Sequence, residues 1–253
     1  MVDEHEVTPH EVRWDEVEGR RVRTLCAGPA GAGRPPVVLV PGLGALGYLV
    51  DTLHGCSAWT RTTMLDVPGF GHRRPRPCAP VLEEVAELIT GWLRAVCHRP
   101  VVLFGHSTGA QAALRAATAA PDLVTALVVA GPTFPPSLRS MGPLARAFGR
   151  NSKHEPAGLL PVTVPYYARG GPRALARYLR SAQDDRPEDS ITSVTCPVTV
   201  VRGRRDAFCP AAWAGDLAES APDGRLVTVP GAHTFPFGRG GLTASIVARA
   251  QPA

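Results

Sequence analysis

A run of apolar residues that leads directly into a serine between two glycines constrains this chain more than any other feature. Residues 101–109 read Val-Val-Leu-Phe-Gly-His-Ser-Thr-Gly, and an alanine-rich, helix-favouring segment follows from Gln111 to about Ala119. A serine on so sharp a turn needs small residues two before and two after it, so that strand and helix can approach. The pattern predicts a strand, a tight turn and a helix whose positive dipole end points toward Ser107, a candidate nucleophile.

Length and charge limit the classes of protein to consider. A chain of 253 residues is long enough for one large α/β domain with an insertion. The formal charge is +5, and all but one of the 27 basic residues are arginines, Lys153 being the exception. These arginines are spread along the chain, and no basic run carries interleaved aromatic residues. We therefore expect no nucleic-acid partner.

Cysteine spacing and the N-terminal residues bear on cofactors and location. The six cysteines show no CxxC spacing and are expected to be free thiols, and no histidine lies at a metal-ligand spacing. We expect neither a metal nor another cofactor. The opening Met-Val-Asp-Glu-His-Glu lacks the apolar stretch of a signal peptide, and no window approaches the length of a membrane span. The expectation is a cytoplasmic protein with no membrane partner.

Strand and helix patterns alternate along most of the chain. A hairpin is predicted over 11–17 and 20–26, with Glu18-Gly19 as its turn. Continuous apolar runs then indicate buried strands, and a three- and four-residue apolar repeat between Val81 and Val96 indicates an amphipathic helix. The further predicted strands cover 37–40, 62–65, 101–104, 126–130, 198–201 and 225–229. This order predicts an α/β fold with a mostly parallel sheet, right-handed crossovers and a ligand site at the carboxyl ends of the strands.

The alternation breaks between residues 132 and 190, where proline-rich and helical pieces occur without a strand pattern. We interpret this segment as a helical cap insertion, with helices near 137–148 and 172–182, in a core formed by 1–131 and 191–253. Apolar residues of the cap, with one from the turn after the strand at 198–201, are expected to contact a small substrate. They are Phe134, Met141, Leu144, Phe148, Tyr166, Tyr167 and Phe208.

Three residues after parallel strands can act together. A serine hydroxyl is a poor nucleophile near neutral pH, so it needs a base to take its proton and an acid to orient that base. Ser107, Asp206 and His233 each follow a predicted strand, which places them at one edge of the sheet. They occur in the order Ser, Asp, His. We predict that they form a catalytic triad.

From about Val37 to the C-terminus the chain resembles the α/β-hydrolase family, through Gly-His-Ser-Thr-Gly, the Arg-Gly-Arg-Arg-Asp turn and Pro-Gly-Ala-His. The resemblance is to members with a serine nucleophile and a short helical cap, such as esterases and ring-cleavage-product hydrolases. It implies that the N–H groups of Leu43 and Thr108 form an oxyanion hole and that the Asp66 loop is structural. Gly-Pro-Thr-Phe at 131–134 offers no carboxylate, which leaves Asp206 as the acid.

The predicted function is that of a serine hydrolase acting on an ester, thioester or related acyl bond of a mostly apolar small molecule. Two alternatives stay open: a carbon–carbon bond hydrolase, lyase or bond-forming enzyme with the same triad, and a receptor-like ligand-binding protein. Between Pro135 and Ala182 the cap carries many arginines against a single carboxylate, Glu155. These arginines either dock an acidic acyl-carrier domain or attract an anionic substrate, or they lie solvated on the helix faces; the arginine bias of the whole chain favours solvated faces.

Overall fold

The computed structural model describes residues 10–29, 31 and 33–251. Residues 1–9, 30, 32, 252 and 253, which belong to the predicted core segments, lie outside the described part. The N-terminal hairpin is confirmed, and both turn residues have positive φ angles, 50° at Glu18 and 74° at Gly19. Such a two-residue turn matches the twist of the antiparallel strands it joins.

Within the described residues, eight strands form one sheet in the order β1-β2-β4-β3-β5-β6-β7-β8. The two hairpin strands are antiparallel, and β3 to β8 pair in parallel, which confirms the predicted mostly parallel α/β sheet. The strands are β1 (Glu11–Val17), β2 (Arg20–Ala27), β3 (Val37–Val40), β4 (Thr62–Leu65), β5 (Val101–His106), β6 (Val124–Ala130), β7 (Val198–Gly203) and β8 (Gly224–Val229).

Helices cover both faces of this sheet, as the buried strands require. The helices are α1 (Val50–Ser57), α2 (Leu82–Val96), α3 (Thr108–Ala119), α4 (Met141–Ser152), α5 (Leu159–Gly170), α6 (Pro172–Asp184), α7 (Pro187–Ser190), α8 (Ala211–Ser220) and α9 (Gly240–Arg249). Alternate residues of strand β3 pack against helices on opposite faces of the sheet. Val38 and Val40 join the layer of α2, α3 and α8, and Val37 and Leu39 join that of α1 and α9.

Some helices differ from the sequence prediction. The first cap helix, predicted near 137–148, is α4 at Met141–Ser152 and follows a separate 3-10 turn at Pro136–Leu138. The helix after Ser107 begins at Thr108 rather than at Gln111, because the Ala110 N–H already donates to the Ser107 carbonyl oxygen at 2.9 Å. Helix α5 was not predicted, because its prolines read as helix breakers. Pro161 lies in the first turn, where a missing N–H costs little, whereas Pro165 lies inside the helix.

The cap segment consists mainly of α4, α5 and α6, which lie between β6 and β7 in the chain. Residues of all three helices line the same cavity as Ser107 and His233, so the segment covers the carboxyl ends of the strands. In the part of the chain described above, no helix is both long and apolar enough to span a membrane.

Candidate active site

Ser107 lies on a strained turn between β5 and α3. Its backbone angles are φ 59° and ψ −126°, a conformation that costs about 1–3 kcal/mol in a residue with a side chain. The Ser107 N–H donates to the Ala130 carbonyl oxygen at the end of β6, 2.8 Å away. The sheet therefore holds this turn in place, and the side chain contributes to the wall of a cavity.

Glycine is required on either side of this serine. A Cβ atom at Gly105 would collide with the Gly109 carbonyl oxygen and lie 2.7 Å from the Cα atom of Ala110. A Cβ atom at Gly109 would lie 2.5 Å from the Val40 carbonyl oxygen. Real Cβ atoms do not approach so closely, so any larger residue would force strand and helix apart. The sequence prediction of a close strand–helix approach is confirmed here.

Asp206 and His233 are directly joined. Asp206 Oδ2 lies 2.9 Å from His233 Nδ1, and the carboxylate is almost fully buried. The other carboxylate oxygen accepts hydrogen bonds from the N–H groups of Phe208 at 2.8 Å and Cys209 at 3.0 Å. These bonds leave the carboxylate one orientation, in which it fixes the His233 ring with Nε2 free of this pairing.

The pairing changes the pKa of both groups. Burial alone would raise the pKa of Asp206, but the charge and hydrogen bond of His233, together with the two loop amides, bring it below its usual value. Burial alone would lower the pKa of His233, and the charge and hydrogen bond of Asp206, with the charge of Glu155, raise it above 6.5. The site thus favours a carboxylate beside an imidazole of increased basicity.

A second histidine connects the turns around Ser107. His106 Nε2 donates to the His233 carbonyl oxygen at 2.9 Å, so its Nδ1 is free to accept from the Tyr48 hydroxyl at 2.8 Å. The Tyr48 oxygen in turn accepts the Gly42 N–H at 2.6 Å. Burial and the nearby charge of His233 lower the pKa of His106 to about 3. His106 is therefore a neutral structural residue at neutral pH.

The two residues of the predicted oxyanion hole lie beside each other. Leu43 has φ 45° and ψ 28°, and its N–H donates to Thr108 Oγ1 at 2.8 Å. Thr108 is the first residue of α3, and both residues line the cavity near Ser107. A substrate carbonyl oxygen that takes the Leu43 N–H has to replace the Thr108 hydroxyl as its acceptor.

A cavity of about 700 Å³ brings these groups together with the cap segment. Ser107, Leu43, Thr108 and His233 contribute to its wall, and Asp206 lies behind His233. Most of the remaining wall is apolar, as is usual for small-molecule sites. Of the residues predicted to contact substrate, those on the wall are Phe134, Leu144, Phe148, Tyr167 and Phe208.

Two of the predicted substrate contacts are not on that wall. Met141 projects from the first turn of α4 and is 61% exposed, because it lies beyond the covered face of the helix. Tyr166 lies on another face of α5 from Tyr167, and its ring packs under the Arg169 guanidinium at 4.9 Å. Neighbouring helical positions point about 100° apart, so Tyr166 is directed away from the part of the wall that Tyr167 lines.

Several wall residues were missed by the sequence analysis. They include Tyr48, His106, Asn151, Glu155, Thr163 and Leu179. Tyr48, His106, Asn151 and Glu155 carry no local signal, because each has a partner at the site that lies far away in the sequence.

Asp66 has a different environment from Asp206. It is fully buried beneath the loop after β4, where Oδ1 accepts the Gly71 N–H at 2.9 Å. Oδ2 lies 3.0 Å from His72 Nδ1 and 3.2 Å from an Arg23 nitrogen. All these partners belong to the loop and the adjoining strand, in agreement with the predicted structural role.

In residues 10–29, 31 and 33–251, no group of three or more His, Cys, Asp or Glu side chains could hold a metal ion. All six cysteines are free thiols.

Solved structures share this fold over almost the whole chain. The enol-lactonase from Burkholderia xenovorans LB400 superposes with a TM-score of 0.74 at 18% identity, covering 94% of this chain and 98% of that one. A thioesterase domain from the curacin biosynthetic pathway gives a TM-score of 0.71 at 16% identity, covering 95% and 99%. At these identities the comparisons establish the fold.

A curated relative is similar over a shorter stretch. A probable cadicidin biosynthesis thioesterase of Streptomyces griseus is 47% identical over 53 residues, which are 21% of this chain and 15% of that protein. The alpha/beta hydrolase family model, in contrast, matches residues 37–245. That range contains the Ser107 turn, the cap segment and the Asp206–His233 pair. The chain therefore belongs to the alpha/beta hydrolase family.

Proposed function

We propose that this protein is a serine hydrolase that cleaves an ester or thioester bond of a mostly apolar small molecule. The observation that carries this proposal is the buried Asp206–His233 hydrogen bond of 2.9 Å beside a cavity that Ser107 also lines. A fixed carboxylate–imidazole pair next to a strained serine is the arrangement that activates a hydroxyl as a nucleophile.

The proposed reaction has two halves. His233 removes the proton of the Ser107 hydroxyl while the oxygen attacks the substrate carbonyl, and the N–H groups of Leu43 and Thr108 bind the resulting oxyanion. The tetrahedral intermediate collapses as His233 returns the proton to the leaving alcohol or thiol, which leaves an acyl group on Ser107. Water, deprotonated by His233, then attacks this ester, and collapse of the second intermediate releases the acid and restores the serine.

Asp206 stays ionised throughout this cycle and stabilises the imidazolium that forms in each half. Its lowered pKa supports this role, because the carboxylate form persists at neutral pH. The raised pKa of His233 supports its role as the base. The apolar wall from α4, α5 and α6 excludes water and favours an acyl group with an aliphatic or aromatic body.

The named activities of similar proteins support an acyl substrate. Both the Streptomyces relative and the curacin domain are described as thioesterases, and the Burkholderia structure as an enol-lactonase. All these names denote cleavage of a carbonyl–sulfur or carbonyl–oxygen bond. We therefore rank ester and thioester hydrolysis above carbon–carbon bond cleavage for this chain.

We also propose that the substrate is a free small molecule in a reducing, cytoplasmic compartment. Several cap arginines already have partners within the chain, as when Arg139 binds Glu188 at 2.7 Å and Arg169 donates to the Phe70 carbonyl oxygen at 2.8 Å. Arginines that are already paired within the chain are not available to bind an acidic carrier, which argues against a docking site. Six unpaired cysteines fit a reducing environment.

A matched substrate panel tests this function. Ester and thioester pairs with the same acyl groups, from acetyl to a twelve-carbon chain and a phenylacetyl group, are assayed with the purified protein at low and high salt. The proposal predicts turnover of both bond types and a preference for the longer or aromatic acyl groups. Thioesters of the same acyl groups on an acyl-carrier protein are assayed beside them. Tight ligand binding without turnover would indicate a receptor-like protein. Activity confined to the carrier-bound thioesters and lost at high salt would contradict the proposal of a free substrate.

A further inference from the structure

Asn151, in the last turn of α4, is a polar residue with 4% of its surface exposed. Its Oδ1 atom accepts the His233 N–H at 3.2 Å and the Ala207 N–H at 3.4 Å. These amides belong to two different turns, one carrying the base and the other following the acid Asp206. One side chain of the cap segment therefore binds both turns at once.

Glu155 extends this contact. Its Oε1 atom accepts the Asn151 side-chain N–H at 2.6 Å and the main-chain N–H of Thr234 at 2.9 Å. The two donors and the carboxylate also fix the orientation of the Asn151 amide, because its oxygen must face the turn amides and its nitrogen must face Glu155. Asn151 and Glu155 thus bind three main-chain N–H groups of the site, those of Ala207, His233 and Thr234.

The second oxygen of Glu155 is the unusual part of this arrangement. Oε2 is buried and, among the residues that the structure describes, has no hydrogen-bond partner, although Glu155 lines the cavity. A buried carboxylate oxygen without a partner is costly while the neighbouring imidazole is neutral. That cost is offset when His233 gains a positive charge during the reaction, so the interaction is stronger in the transition state than in the resting enzyme.

We propose that Asn151 and Glu155 are positioning residues of the active site: they bind the turns that carry Asp206 and His233 to the cap segment, and Glu155 adds a second negative charge beside the imidazolium. This inference rests on the proposed function, in which His233 is the base. The ionisable groups around His233 are Asp206 from the turn after β7, His106 from the end of β5, and Glu155 from the cap, whose charge acts on the imidazole and whose Oε1 binds the adjacent Thr234 N–H. Of these, Asp206 and Glu155 carry negative charge, and His106 is neutral.

The positional part of the inference is tested with Asn151→Ala, and Arg150→Ala is the control, because Arg150 is an exposed neighbour on the same helix. Loss of the shared acceptor leaves the amides of His233 and Ala207 unpaired, so kcat falls about tenfold or more while KM changes less than threefold. Arg150→Ala retains wild-type kcat. A kcat for Asn151→Ala within twofold of the control would overturn the positional role.

The electrostatic part is tested with Glu155→Gln, which keeps an oxygen acceptor for the Thr234 and Asn151 N–H groups but removes the charge. Without this charge the imidazolium is less stable, so the pKa of His233 falls. The acid limb of the kcat/KM profile moves to lower pH by about half a unit or more, and the plateau stays within threefold of wild type. Glu155→Ala, which loses both features, shows the shifted limb and a lower plateau. A limb that does not move in Glu155→Gln would contradict the inference, since a purely structural role leaves it unchanged.

A spectroscopic titration separates this inference from the proposed function. The His233 imidazole is followed by NMR as a function of pH in the Ser107→Ala protein, with and without Glu155→Gln. The account predicts a lower His233 pKa in the double variant, whether or not the protein hydrolyses any ester. Equal pKa values in the two proteins would refute the electrostatic role. A shifted pKa in a protein whose wild type is inactive would support the inference and refute the hydrolase proposal. If Asn151→Ala does not fold, Asn151→Leu, which keeps the side-chain volume but removes the acceptor, is compared with Arg150→Ala by the same kinetic criterion.

Discussion

The Nε2 atom of His106 lies 2.9 Å from the main-chain carbonyl oxygen of His233, which joins the end of the strand before Ser107 to the turn that carries the candidate base. On its other side the same ring accepts the Tyr48 hydroxyl, which also binds the Gly42 N–H. One buried imidazole thus connects the turn of the base to the loop that contains Leu43. The turn that carries the candidate base and the loop of the predicted oxyanion hole are therefore joined by one chain of hydrogen bonds.

Tyr48→Phe removes the hydroxyl of this connection. The Gly42 N–H and His106 Nδ1 both lose their partner inside the protein, so we expect the free energy of unfolding to fall by about 1–3 kcal/mol and kcat to fall severalfold. Chemical denaturation and steady-state kinetics measure the two effects. The matched control is Tyr166→Phe. The Tyr166 ring packs under Arg169 outside the cavity wall, so this variant should change neither the free energy of unfolding nor kcat. Equal behaviour of the two variants would refute the connection.

His106 makes the stability of the protein depend on pH. Its pKa is lowered to about 3 in the folded protein, whereas in the unfolded chain it titrates near 6.5. Below pH 6.5 the unfolded state therefore binds a proton that the folded state does not, and the free energy of unfolding falls as the pH decreases from 6.5 to about 3. Denaturation of wild type and His106→Asn across this range measures the contribution. The variant should be less stable at pH 7 and should lose less stability on acidification; parallel curves would contradict the assignment.

The two buried aspartates should respond differently to removal of their charge. Asp206→Asn disrupts the orientation of His233 and its imidazolium, so turnover should fall by about 10⁴-fold with little change in melting temperature. Asp66→Asn weakens the contacts to Arg23, His72 and Gly71, and should chiefly lower the melting temperature. Kinetics and thermal denaturation of both variants decide the matter. If Asp66→Asn is stable but inactive while Asp206→Asn stays active, the acid has been assigned to the wrong residue.

The position of Phe148 on the cavity wall predicts how kcat/KM depends on acyl-chain length. Phe148 lines the cavity and is 64% exposed, so Phe148→Ala should leave the fold intact. Loss of its apolar surface should lower kcat/KM about tenfold for long acyl groups and leave acetyl esters unchanged. The comparison is Met141→Ala, on the same helix and similarly exposed but away from the wall. A chain-length effect of the same size in both variants would contradict the mapped wall.

Much of the fold follows from local patterns in the sequence. The buried strand at 37–40, the hairpin turn at Glu18-Gly19 and the glycines around Ser107 are each determined by residues close to them in the chain, and each is as predicted. Helix α5 was missed because its two prolines act as local breakers in the sequence, although Pro161 lies in the first turn, where its missing N–H costs little.

The contacts that complete the site join residues that are far apart in the sequence. Asn151 and Glu155 reach His233 and Thr234 across about eighty residues of sequence, and Tyr48 reaches His106 across about sixty. Nothing near these residues in the chain distinguishes them from ordinary polar residues of a helix or turn. The sequence supplied Ser107, Asp206 and His233 through their positions after strands, whereas the residues that hold them depend on how the cap segment packs.

The central claim is that Ser107 is the nucleophile, and covalent labelling tests it most directly. A fluorophosphonate probe is reacted with the wild-type protein and with Ser107→Ala, and the modified peptide is identified by mass spectrometry alongside ester turnover and the melting temperature. We predict a single adduct on Ser107 in the wild type. In Ser107→Ala we predict no adduct and turnover reduced by about 10⁶-fold, with an unchanged melting temperature, because alanine also fits the tight turn. Ester hydrolysis by Ser107→Ala at a rate comparable to wild type, or an adduct on a different residue, would contradict the account.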